Sequence, residues 1–169
     1  IINQLREITK ICVKQKKMKQ NSMKAWVLAA RPKTLSGAAV PVIIGLALSW
    51  RYLSDNGLSE CFSIAAAALC LLFALTMQID ANFVNDFYDF VNGNDDAETR
   101  LGPKRACAQG WVTLQAMKHA IALTTVTACA VGLPLVWFGG LEMIAVGVAC
   151  VLFCFLYTTF FASKGLGDV

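Results

Sequence analysis

Charged side chains are unevenly spread along this 169-residue chain, and four stretches carry none: Thr34–Trp50, Cys61–Ile79, Ala120–Leu141 and Met143–Ser163. Three of them reach the roughly 18–20 residues that a helix needs to cross about 30 Å of hydrocarbon. Thr34–Trp50 falls just short, and Pro32 and Pro41 lie beside or within it. None shows the polar stripe that a helix in water presents. The pattern predicts an all-α, polytopic transmembrane helical bundle of four spans, at about 34–50, 61–85, 119–138 and 141–163. Asp55-Asn56-Gly57 marks a short turn between the first two spans, and Gly139-Gly140 a tight turn between the last two. Pro41 and Pro134 each remove an intrahelical hydrogen bond and are expected to kink their helices.

Composition sharpens this picture. The chain is 57% hydrophobic and 15% charged, against roughly 25% charged in an average soluble domain. Arg6, Lys10, Lys14, Lys16, Lys17, Lys19, Lys24, Arg31 and Lys33 precede the first span, and Arg51 alone follows it. Arg100, Lys104, Arg105 and Lys118 lie between the second and third spans, and Lys164 follows the fourth. All but Arg51 would share one side, which the positive-inside rule makes cytoplasmic. The expected setting is the inner (plasma) membrane, multi-pass, with the N-terminus and the central loop cytoplasmic. No aromatic residues interleave with the basic run before Trp26, so no nucleic acid is expected as a partner. Seven cysteines form no C-x-x-C pair and read as small apolar residues. Residues 1–23 read as a basic cytoplasmic tail or an upstream extension ahead of Met23, and 24–169 as the membrane domain. No signal peptide is expected ahead of Ala25, and the last residues read as a loop cut short.

The end of the second span carries the candidate chemistry. At 100° per residue, Gln78, Asn82, Asn85, Asp86 and Asp89 fall within one arc of about 100°. Unpaired polar groups in hydrocarbon cost several kcal/mol, so this stripe is expected to face a cavity, a partner helix or a cation. Asp86 and Asp89 are spaced to project side by side, and hard oxygen ligands of this kind suit Mg²⁺ completed by water and phosphate oxygens. Asp80 points to the opposite side, where pairing with a basic residue such as Lys33 is expected. The following loop, 92–105, is acidic and Gly-rich at first, where it can hold a second cation. Arg100, Lys104 and Arg105 can then neutralise a diphosphate. Its Gly102-Pro103 is no phosphate-binding P-loop.

Asn85-Asp86-x-x-Asp89 in a membrane helix resembles the first aspartate-rich motif of the UbiA superfamily of intramembrane prenyltransferases. More narrowly, Ala30-Arg31-Pro32-Lys33-Thr34-Leu35, Asn82-Phe83-x-Asn85-Asp86-x-x-Asp89 with Gly93-x-Asp95, and Arg100-Leu101-Gly102-Pro103-x-Arg105 resemble its 1,4-dihydroxy-2-naphthoate polyprenyltransferase branch in menaquinone synthesis. The likeness runs from about Lys24 to Val169. It implies that Asn85, Asp86, Asp89 and Asp95 hold Mg²⁺ on a polyprenyl diphosphate, Asp86 and Asp89 being catalytic. It further implies that Asn82, Lys33, Arg100, Lys104 and Arg105 bind substrate. Ionisation would give an allylic cation captured by 1,4-dihydroxy-2-naphthoate, with loss of CO₂ and diphosphate, giving demethylmenaquinone. The lipid bilayer and the apolar span walls would house the prenyl tail.

The resemblance also implies about nine helices and a second aspartate-rich motif, neither matched here, so the chain reads as the first half of such a fold and is expected to be inactive alone. Two other readings stay open. One is a related enzyme acting on 4-hydroxybenzoate or haem; the other is a non-enzymatic four-helix transport or complex subunit whose acidic stripe faces a partner.

Overall fold

The structure, a computed structural model, describes residues 18–93, 104–157 and 159. Its described residues form helices and turns, with no strand among them. Helix α1 (Met23–Ala30) starts where the Ser22 hydroxyl accepts the Ala25 amide at 3.3 Å. It ends at Arg31, which adopts a left-handed conformation (φ 50°, ψ 69°). Such a backbone costs an L-residue roughly 1–2 kcal/mol, but it lets α2 (Pro32–Asp55) leave in a new direction with Pro32 in its first turn.

Helix α2 outruns its apolar stretch. It continues past Trp50 to Asp55, where Arg51 and Asp55 pair one turn apart at 2.7 Å. The hydrophobic pattern marked where hydrocarbon would end, whereas the helix ends at the Asn56-Gly57 turn, with Gly57 at φ 71°. Pro41 is accommodated inside this helix. After a 3₁₀ turn at Ser59–Cys61, α3 (Ile64–Val91) begins at Ser63, whose side chain accepts the Ala66 amide. It carries every polar residue of the predicted stripe within one helix. Helix α4 (Leu114–Gly132) is capped by Thr113, and α5 (Leu135–Gly139) follows directly after Pro134. Pro134 therefore interrupts its helix, as expected. The Gly140 turn (φ 78°) leads to α6 (Glu142–Leu156).

Three helical stretches are long and apolar enough to cross a membrane: Pro32–Asp55, Ile64–Val91 and Leu114–Gly139. Helix α6 is a shorter apolar helix. Together they make a polytopic membrane bundle. Helix α3 is its hub, touching α1, α2, α4, α5 and α6.

Burial is concentrated at one end. Ala25, Ala29, Phe83, Val84, Phe87, Ala106, Cys107, Val112, Met117 and Ile121 form the buried cluster, where α1, the end of α3, the start of α4 and the preceding turn converge. Along the spans, large apolar side chains such as Ile43, Ile44, Leu48, Leu123 and Trp137 are exposed. In water that surface would drive aggregation. Against lipid it costs nothing, because acyl chains are as apolar as leucine.

Candidate functional site

The polar end of α3 meets three neighbours, each engaging a different member of its stripe. Asn82 is buried and faces the α1–α2 elbow, where its side-chain amide donates to the Ala30 carbonyl and the Thr34 hydroxyl, both at 2.9 Å. The Thr34 hydroxyl in turn donates to the Arg31 carbonyl at 2.9 Å. One amide thus holds the Ala30–Thr34 segment and its strained left-handed residue in place.

Asp86 faces the turn that precedes α4. It is fully buried, and its two carboxylate oxygens accept the backbone amides of Ala106 at 2.8 Å and Cys107 at 2.9 Å. The same turn closes on itself through Trp111 N–H to the Ala106 carbonyl at 2.8 Å. Its far side is tied to the residues ahead of α1. The Asn21 amide donates to the Trp111 carbonyl at 2.8 Å, and the Asn21 side chain accepts the Thr113 amide at 3.1 Å. Asn21 and Ser22, read from sequence as part of a tail, therefore contribute to this end of the bundle.

Asp89 lies one turn beyond Asn85 and pairs with the Arg105 guanidinium, the two side chains being 13% and 9% exposed. Sequence reasoning set Asp86 and Asp89 side by side toward one cation. The structure instead sends Asp86 to backbone amides and Asp89 to Arg105. Lys104 and Lys33 are exposed. Asp95 and Arg100 lie outside the described residues. Among the described residues no three His, Cys, Asp or Glu side chains cluster together.

The expected pairing of Asp80 with Lys33 is corrected. Asp80 is fully buried and accepts hydrogen bonds from the hydroxyls of Thr124 and, at 3.0 Å, Thr125 on α4. Its position, about 200° round the helix from Gln78, turns it toward α4 and away from the exposed Lys33. The adjacent threonines Thr124 and Thr125 in a mainly apolar span were the available signal. The amides of Ala106 and Cys107 carried none, since a backbone donor has no sequence signature.

Beside this polar end runs an open, mainly apolar groove between α3 and α6, of about 780 Å³. Met77, Gln78 and Asn85 line it from α3, with Ala149, Phe153 and Cys154 opposite. Cys107, buried beneath the turn, has its thiol pushed well above the ordinary value, first by burial and then by the Asp86 charge beside it. Lys118 places its ammonium 5.5 Å from the Phe87 ring centre, within cation–π range.

A family model described as the UbiA prenyltransferase family matches residues 38–169. A 1,4-dihydroxy-2-naphthoate octaprenyltransferase of Escherichia coli is 39% identical over 112 residues, covering 66% of this chain and 34% of that protein. The Haemophilus influenzae protein of the same name is 33% identical over 111 residues, covering 66% and 34%. The one from Mycobacterium tuberculosis is 31% identical over 138 residues, covering 81% and 44%. The matched region thus spans less than half the length of these relatives. No solved structure matches the chain significantly.

Proposed function

The chain belongs to the UbiA prenyltransferase family, and from that membership we propose that it serves to transfer a polyprenyl group from polyprenyl diphosphate to 1,4-dihydroxy-2-naphthoate, releasing CO₂ and diphosphate and giving demethylmenaquinone. The observation that carries the acceptor is that similar proteins of Escherichia coli, Haemophilus influenzae and Mycobacterium tuberculosis are all named 1,4-dihydroxy-2-naphthoate octaprenyltransferase. The geometry agrees with a donor of this shape. An apolar groove suits a polyprenyl tail, and its Asn85 sits one helical turn from the Asp89–Arg105 pair, where charged diphosphate oxygens would lie. Arg105, with Lys104 beside it, would neutralise the leaving diphosphate, the guanidinium offering two parallel donors.

Enzymes of this family are generally metal-dependent. The described side chains fit a divalent cation through Asn85 and Asp89, spaced i, i+4 on one face, with Asp95 as the expected third ligand. Asp86 fits poorly, because both its oxygens are already bonded and buried. Bound Mg²⁺ would supply charge neutralisation at the diphosphate. The chain's own part is to orient Arg105, keep the groove dry and hold the prenyl tail, so that charge develops opposite groups already in place. The membrane setting follows from the spans, and we place the polar end on the cytoplasmic face of the inner membrane on the strength of its basic flanks.

The test is to express the whole protein of which this chain is expected to be the first half, with the chain alone as the expected inactive control, in a bacterium lacking its own naphthoate prenyltransferase and measure quinones by mass spectrometry. Restored demethylmenaquinone is expected. Its absence, with prenylated 4-hydroxybenzoate accumulating instead, would overturn the acceptor.

A further inference from the structure

We propose that Asp86 is a positioning residue rather than a metal ligand: it latches the turn after Arg105 onto α3, so that Arg105 stands beside Asp89. Both carboxylate oxygens are used, at 2.8 and 2.9 Å, and both donors are the backbone amides directly following Arg105. The side chain is fully buried. A cation reaching this fully buried side chain would have to open the turn that covers it, and each amide displaced in doing so would leave a buried N–H unsatisfied, at about 1–3 kcal/mol. The guanidinium then has little room to wander. Its own backbone is fixed by the latch on one side, and the turn is fixed on the other by Asn21 at Trp111 and Thr113. Its head is fixed by Asp89. A buried carboxylate binding two successive amides is strong and directional, which is what orienting one arginine requires.

That Arg105 then meets a diphosphate rests on the function proposed above; the latch itself does not. The two can be separated by experiment. Hydrogen–deuterium exchange, read by mass spectrometry on a peptide covering 105–112 in the full protein in nanodiscs, reports the latch without any turnover. Wild type should exchange slowly, equally with and without Mg²⁺. Asp86→Asn should exchange about tenfold faster or more, since one acceptor is replaced by a donor. Asp89→Asn, which removes the ion pair and leaves the acceptor, should keep the peptide protected. Should the asparagine variant not fold, Asp86→Glu carries the same test, keeping the charge but misplacing the acceptor by one methylene. Wild-type protection in either Asp86 variant would overturn the proposal. So would protection in the native chain that appears only with Mg²⁺.

In prenyl transfer, Asp86→Asn should raise KM for the polyprenyl diphosphate about tenfold while leaving the Mg²⁺ concentration for half-maximal rate unchanged. A shifted Mg²⁺ requirement would return Asp86 to the metal. A wild-type protein without prenyl transfer would sink the proposed function and leave the exchange result standing.

Discussion

The three carboxylates of α3 lie within ten residues of one another, yet each is satisfied by a different kind of partner. Asp80 takes side-chain hydroxyls, Asp86 takes backbone amides and Asp89 takes a guanidinium. None of the three partners was legible beforehand: opposite charge suggested Lys33 for Asp80, while the shared arc set Asp86 and Asp89 toward a cation and left Arg105 to a diphosphate. The stripe itself was read correctly as an arc of the helix, but an arc of 100° touches more than one neighbour in a packed bundle. Cys107 offers a direct probe of this region. Burial and the adjacent Asp86 charge both raise its thiol, so less thiolate is present at pH 8 than for an ordinary cysteine. Alkylation followed by mass spectrometry should label the exposed Cys61 at least about tenfold faster than Cys107. Equal rates would mean that the turn does not cover the thiol.

Among elements, α3 and α4 are the most extensively packed pair, and their contact includes a clamp with no charge partner. Replacing Thr124 and Thr125 together by valine keeps their shape and removes both hydroxyls from Asp80. We expect this to lower stability by about 2–4 kcal/mol, the range for stranding a buried ionisable group, read as a fall in the thermal midpoint in detergent. Lys33→Ala should stay within about 0.5 kcal/mol, which separates the observed pairing from the one the sequence invited. Helix existence was legible here because apolar runs of this length have few alternatives. Helix ends were not, as α2 illustrates: its last turn is held by the Arg51–Asp55 pair and a glycine turn, outside the hydrophobic signal.

At the scale of the whole molecule, the packed core and the polar site coincide, while the spans present apolar surface outward. The groove between α3 and α6 was not legible, because it depends on which helix faces meet, and apolar residues all round a helix do not say. Its volume of about 780 Å³ lies in the range of small-molecule sites, about 300–1,000 Å³. Ala149→Trp should fill part of it. On the function proposed above, and with the whole protein in membranes, transfer from a long polyprenyl donor should fall about tenfold or more, with a ten-carbon donor affected less. Equal loss with both donors would place the tail elsewhere. The Asp80 clamp has a last consequence, for biogenesis. The threonines that satisfy this acid lie 44 and 45 residues further along the chain, so when α3 first leaves the ribosome Asp80 has no hydroxyl to bind. A lone α3 is therefore a poor passenger for the lipid phase, and the translocon must shelter it until α4 arrives, making the hairpin rather than the single helix the unit of insertion.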